Sequence, residues 1–129
     1  MTVEPEATIL ICDDEPSLRE LMRLSLETVP GYRFVEAGDG SEAIEAIESA
    51  RPDLLLLDVM MPGTGGIDVL EHLRAHTELS QIPVIVVSAF ASPADRRRAI
   101  EAGATRFVKK PFDPEALRSL VEELLPSRV

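Results

Sequence analysis

Apolar residues along the chain fall into two alternating patterns. Short continuous runs, Thr8-Ile9-Leu10-Ile11-Cys12, Leu54-Leu55-Leu56-Leu57 and Ile82-Pro83-Val84-Ile85-Val86-Val87, are bounded by charged or turn residues. Runs of this length suit strands buried on both faces of a parallel sheet. Tyr32-Arg33-Phe34-Val35-Glu36-Ala37 alternates and reads as a further strand, and Arg106-Phe107-Val108 as a short fifth. Between the runs, apolar residues recur at helical spacing. Leu18, Leu21, Met22 and Val29 predict a helix over 16–28. Ala43, Ile44 and Ile47 predict a second that ends before Pro52. Ile67, Leu70, Leu73 and Arg74 predict a third, and Leu117, Leu120, Val121 and Leu124 a last one opened by Asp113-Pro114. The fourth helix is marked by its ends: Ser92-Pro93 supplies an N-cap and a proline at the first helical position, and Gly103 a stop. Pro30-Gly31, Gly38-Asp39-Gly40-Ser41 and a flexible Pro62-Gly63-Thr64-Gly65-Gly66 stretch punctuate the rest.

Strict alternation of strand and helix implies a parallel sheet with helices on both faces. Five strands favour the flavodoxin-like order 2-1-3-4-5, a doubly wound α/β three-layer sandwich of (βα)5 form. Residues 1–6 read as a short N-terminal tail and 7–129 as one domain.

Composition narrows the function classes. The net charge of −10 over 129 residues argues against direct contact with nucleic acid, whose phosphates require a basic face. A single cysteine, Cys12, excludes an internal disulfide framework and any multi-cysteine metal site, and reads as a small core residue. No run reaches the roughly 18 apolar residues of a membrane helix, and the N-terminus has neither the basic region nor the apolar core of a signal peptide. The expected setting is cytoplasmic, with no membrane partner.

The chemistry lies at the strand ends. The first strand stops at Asp13-Asp14, the third at Asp58, the fourth at Ser88 and the fifth at Lys110. In the order 2-1-3-4-5 these four strands are neighbours, so three carboxylates, a hydroxyl and an ammonium converge on one edge. Carboxylates ~5 Å apart repel by about 3 kcal/mol per pair at an effective dielectric of ~20. Such a cluster recruits a cation, and oxygen-only ligands with room for water suit Mg²⁺ or Mn²⁺. Asp58 then stands as a carboxylate nucleophile beside a Lewis acid, with Lys110 and Ser88 positioned for phosphoryl oxygens. That is the equipment for forming an aspartyl phosphate. Other groups carry blander readings: Lys109 and Arg96-Arg97-Arg98 as solvated charges, the arginines with a partner contact left open, and His72 and His76, four apart, as an exposed face rather than a metal pair.

The chain resembles the receiver domain of two-component response regulators, including the chemotaxis receivers. The matching pieces are Ile9-Leu10-Ile11-Cys12-Asp13-Asp14-Glu15, Leu57-Asp58-Val59-Met60-Met61-Pro62, Val86-Val87-Ser88-Ala89 and Phe107-Val108-Lys109-Lys110-Pro111-Phe112, in the family's order. The resemblance implies that residues 7–129 are a single receiver domain. It implies Asp58 as phosphoacceptor, with Asp13, Asp14, Asp58 and the backbone carbonyl of Met60 as metal contacts. Ser88 and Lys110 would be the catalytic hydroxyl and ammonium, Ser88 and Phe107 the switch pair, and the Lys110-Pro111 bond would be cis. The phosphoryl donor would be a sensor histidine kinase or a histidine phosphotransfer protein. The output would be a downstream protein or attached domain engaged through the face of helix four, strand five and helix five. Such a protein is a signalling phosphoacceptor that catalyses only its own phosphorylation and dephosphorylation.

Some positions depart from the family pattern. Thr64 and Gly65 stand where a methionine and an acidic residue are common, which loosens the expected start of the third helix. Phe107 replaces a frequent tyrosine. Thr105 and Arg106 replace the acidic pair of regulators that dimerise through the helix-four face, which argues against that dimer and leaves other homodimers open. Met60 and Phe90, two residues past Asp58 and Ser88, are expected to slow hydrolysis of the phosphoryl group. Rival readings fare worse. A haloacid-dehalogenase-type phosphatase requires a second aspartate where Met60 stands, and a flavin carrier requires a phosphate loop where Asp13-Asp14-Glu15-Pro16 would repel phosphate. A degenerate receiver that binds partners without phosphorylation is opposed by the complete residue set.

Overall fold

The computed structural model describes residues 7–60 and 65–125. The expected tail at 1–6, residues 61–64 of the stretch expected to be flexible, and residues 126–129 lie outside the described residues. Five strands, β1 (Ala7–Cys12), β2 (Tyr32–Ala37), β3 (Leu54–Leu57), β4 (Val84–Ser88) and β5 (Arg106–Lys109), alternate with five helices. The helices are α1 (Pro16–Leu26), α2 (Gly40–Ala50), α3 (Gly66–Ala75), α4 (Pro93–Ala102) and α5 (Pro114–Leu124). The sheet is wholly parallel in the order β2-β1-β3-β4-β5, as the alternation predicts.

The pleat divides the core in two. Leu10, Cys12, Leu55, Leu57, Val84 and Val86 face α2, α3 and α4 through Ala43, Ile47, Val69, Leu70, Leu73 and Ala99. Ile9, Ile11, Leu54, Leu56, Ile85 and Val87 face α1 and α5 through Met22, Leu26, Leu117 and Val121. The leucine run of β3 is fully buried because both faces of the central strand are covered.

Several boundaries differ from expectation for local reasons. The first helix ends at Leu26 rather than 28, and its buried side is Met22, Ser25 and Leu26. Leu21 lies outside that side and is exposed. The fourth strand begins at Val84, after Ile82 and Pro83; proline has no N–H to give a ladder, and Pro83 contributes only a carbonyl, to the Leu55 amide at 3.0 Å. Gly40 and Ser41 belong to the first turn of α2, which Asp39 caps by accepting from the Glu42 amide at 2.8 Å. Gly66 is likewise helical rather than loop. A Cβ there would lie 2.7 Å from the Asp58 carbonyl oxygen and still closer to the Val59 Cα. The helix can approach the chain just past β3 because position 66 has no side chain.

Candidate functional site

Register decides which side chains meet. Cys12 pairs with Leu57, so Asp13 and Asp58 emerge side by side at the carboxyl edge. The Asp58 amide donates to the Cys12 carbonyl at 2.9 Å and the Asp13 amide to the Ala37 carbonyl at 3.1 Å, which extends the pairing to both acids. Ser88 pairs with Lys109, and the Lys110 amide donates to the Ser88 carbonyl at 2.9 Å. The Lys110-Pro111 peptide is cis, as the resemblance implies.

Carboxylate oxygens of Asp13, Asp14 and Asp58 lie within 4.8 Å of one another. Asp13 and Asp58 are buried, whereas Asp14 is exposed. Lys110 Nζ donates to Asp13 Oδ2 at 2.7 Å and to Asp58 Oδ2 at 3.2 Å. The remaining oxygens are held by main chain: Asp13 Oδ1 accepts from the Glu15 amide at 2.9 Å and Asp58 Oδ1 from the Met60 amide at 3.0 Å. Arg19 supports this wall by donating to the Asp13 carbonyl at 2.6 Å while pairing with Glu36 at 3.0 Å.

Burial is the main force on Asp58 and raises its pKa. The Met60 amide and Lys110 oppose the rise, and Asp13 adds to it. Burial alone would lower the Lys110 pKa, but its contacts with Asp13 and Asp58 outweigh burial and raise it. The ammonium is therefore firmly charged at neutral pH. The donor set fits a hard divalent cation: it is oxygen-only, carries excess negative charge, and is open at Asp14, where water can complete the coordination.

The switch candidates sit beside this cluster. Ser88 is fully buried, and its Oγ accepts from the Phe90 amide at 3.1 Å. Phe107 is half-buried on β5, and the Arg96 guanidinium lies 4.9 Å above its ring centroid. Met60 and Phe90, two residues past Asp58 and Ser88, are large apolar side chains 55% and 56% exposed. Lys109 is exposed, as expected. Cys12 is buried, and burial pushes its thiol pKa upward, which makes it an inert core residue.

Sequence reasoning brought Asp13, Asp14, Asp58, Ser88 and Lys110 together. It missed Arg19, Gly66 and the Arg96–Phe107 stack. The adjacent glycines at 65 and 66 were a signal for close approach; nothing in the sequence pointed to the stack. It also assigned both histidines to an exposed face, whereas His72 is half-buried and stands beside Glu48.

A family model described as the response regulator receiver domain matches residues 9–122. The chain is 41% identical over 117 residues to the DNA-binding response regulator MtrA of Mycolicibacterium smegmatis, covering 91% of this chain and 50% of that protein. It is 36% identical over 117 residues to the phosphate regulon transcriptional regulatory protein PhoB of Escherichia coli K12, covering 91% and 51%. The chain thus spans about half the length of these curated relatives. Among solved structures, the chemotaxis response regulator CheY4 of Vibrio cholerae superposes with a TM-score of 0.84 at 30% identity, covering 92% of this chain and 98% of that one. The signal receiver domain of the putative response regulator NarL of Mycobacterium tuberculosis superposes at 0.86 with 31% identity, covering 98% and 100%. No helix among the described residues is long and apolar enough to cross a membrane.

Proposed function

The chain belongs to the response regulator receiver family, and on that premise we propose that Asp58 accepts a phosphoryl group from a phosphohistidine donor in a Mg²⁺-dependent reaction. The observation that carries the reading is the meeting of Asp13, Asp14 and Asp58 within 4.8 Å, with Lys110 bonded to two of them. In the step, an Asp58 oxygen attacks phosphorus, the P–N bond to the donor imidazole breaks, and an acyl phosphate forms. Asp13, Asp14, Asp58 and the Met60 carbonyl would hold the cation, which supplies charge neutralisation for the phosphoryl oxygens when bound. The chain's own contribution is positioning. The Met60 amide orients the Asp58 carboxylate, Lys110 supplies a fixed positive charge, and the buried Ser88 hydroxyl stands ready to donate to a phosphoryl oxygen.

In this reading the Ser88 Oγ, which now accepts from the Phe90 amide, turns toward the phosphoryl group to donate to it, and that movement would open room beside β4 for the Phe107 ring. The result is a population shift on the face of α4, β5 and α5, where a partner or output domain would read it. The donor would be a sensor histidine kinase or a phosphotransfer protein, acting in the cytoplasm. Residues 7–129 would form a single domain for this purpose.

The test is incubation with acetyl phosphate and Mg²⁺, read as a mass gain of one phosphoryl group. Gain that requires both Mg²⁺ and Asp58, with Asp58→Ala as control, is the expected outcome. Folded protein that is not modified would overturn the reading and favour a receiver that acts by binding alone.

A further inference from the structure

A second group of metal-ligating side chains lies away from the strand-end carboxylates. His72 lies in the last turn of α3, His76 is the extended residue that caps that helix four positions on, and Glu48 faces them from α2. One donor atom from each of the three lies within 4.8 Å of the others. The two imidazole centroids are 4.4 Å apart, with the rings tilted by 45°.

Two details go beyond proximity. His76 Nδ1 lies 2.8 Å from the His72 carbonyl oxygen. A carbonyl only accepts, so Nδ1 carries the hydrogen, and in the neutral ring Nε2 presents its lone pair. This is how metal-ligating histidines are commonly oriented, the second nitrogen donating to main chain. His72 Nε2 is a buried atom with no hydrogen-bond partner, although its side chain as a whole is 25% exposed. It faces Glu48 Oε1 at 3.3 Å, outside hydrogen-bonding geometry. A buried nitrogen left without a hydrogen bond beside a carboxylate is unfavourable alone, and a cation between the two would satisfy both.

Two imidazoles and one carboxylate with an open side form a donor set for Zn²⁺ and similar borderline divalent ions, not for Mg²⁺ or Ca²⁺, which favour oxygen. A hollow of about 540 Å³ adjoins Glu48 and His76 and gives room for a water ligand. Arg51 also lines the hollow, but its guanidinium is held by Glu78 at 2.9 Å, which offsets its charge there.

We propose that Glu48, His72 and His76 bind Zn²⁺ or a similar divalent transition ion and so clip α2 to α3. The clip would act on the helix that begins at Gly66, against the chain that carries Asp58.

The experiment uses the full chain, free of any histidine tag, with excess Mg²⁺ present to occupy the strand-end carboxylates. Co²⁺ is titrated while visible ligand-field bands are recorded, and Zn²⁺ is then added in competition. One equivalent of Co²⁺ with the intense bands of a low-coordinate site, displaced by Zn²⁺, is expected. His72→Gln and His76→Gln should each weaken binding by at least about tenfold, and the double variant should abolish it. Zn²⁺ should raise the melting temperature of the wild type and leave that of the double variant unchanged, while far-UV circular dichroism verifies that both are folded. Absence of stoichiometric binding overturns the proposal. So does binding that persists in the folded double variant, or that is lost in Asp14→Asn instead, since either would put the ion elsewhere.

Discussion

Asp58→Asn separates the shape of the site from its charge. Asparagine keeps an oxygen for the Met60 amide, now 3.0 Å from Asp58 Oδ1, and removes one negative charge from a residue only 5% exposed. The pairwise energies nearly cancel. At an effective dielectric of ~20, Lys110 at 3.2 Å attracts the carboxylate by about 5 kcal/mol, and Asp13, within 4.8 Å, repels it by at least about 3.5 kcal/mol. Asp14 adds repulsion that water screens. Burial then decides the sign, which is why the Asp58 pKa is raised. The uncompensated part of a desolvation cost that amounts to several kcal/mol per buried ion leaves Asp58→Asn more stable by about 1–2 kcal/mol. For a domain of this size that is a melting-temperature gain of roughly 3–8 °C.

The pH dependence follows from the direction of the shift. A carboxyl whose folded pKa lies above its unfolded value destabilises the fold when ionised. The penalty is complete above the folded pKa, shrinks as pH falls through it, and is gone below the unfolded value near ~3.9. The gap between variant and wild type should therefore close in acid. Saturating Mg²⁺ should reverse the order at neutral pH, because the cation stabilises the full carboxylate set more than the depleted one. Thermal melts in chelator, in Mg²⁺ and down a pH series measure all three. A variant that melts below the wild type at neutral pH in chelator, or a gap indifferent to pH, would refute the electrostatic account.

Three further outcomes are expected. Lys110→Met leaves Asp13 and Asp58 facing each other and should cost about 3–5 kcal/mol by urea unfolding in chelator, with part recovered in Mg²⁺. Gly66→Ala forces a Cβ against the Asp58 carbonyl and the Val59 Cα, and should cost about 2–4 kcal/mol while slowing acetyl phosphate labelling. Met60→Asn with Phe90→Glu should shorten the phosphoryl half-life about tenfold or more, a barrier change of roughly 1.4 kcal/mol; unchanged decay of the phosphorylated mass would count against a shielding role.

Legibility from sequence tracked how local the cause was. Buried parallel strands declare themselves as apolar runs, and the residues that follow them mark the sheet edge, so Asp13, Asp58, Ser88 and Lys110 read as one group from sequence alone. Caps at Ser92 and Asp113 were legible because a side chain bonds an amide two or three residues on. Causes that act across the fold were not. Leu21 matched helical spacing, yet the buried side of α1 is set by where α5 and the sheet lie. Glu48 joins His72 through the packing of α2 on α3, with no sequence spacing to announce it. The approach of α3 to the Asp58 backbone reads as a flexible Gly-Gly stretch until the neighbour is known.

The contacts that would have to break in the proposed switch are few and weak, which is what a reversible device requires. Ser88 and Lys110 are tied through the Lys110 amide and the Ser88 carbonyl at 2.9 Å, so β4 and β5 carry the hydroxyl and the ammonium as one unit. The Ser88 hydroxyl accepts one bond, from the Phe90 amide, and the one polar contact on Phe107, whose ring also packs against the core, is the Arg96 guanidinium. A neutral hydrogen bond contributes a net of about 1 kcal/mol, and an exposed cation–π contact about 0.5–1 kcal/mol. Together they bias the resting arrangement by about 2 kcal/mol, or roughly thirtyfold. Each hydrogen bond to a charged phosphoryl oxygen returns about 1.5–3 kcal/mol. Two such bonds, about 3–6 kcal/mol together, suffice to overturn a bias of that size. On the proposed reading the buried leucine strand behind Asp58 would not have to move, so a modification at its tip would be read on α4 and β5 while the core stays intact.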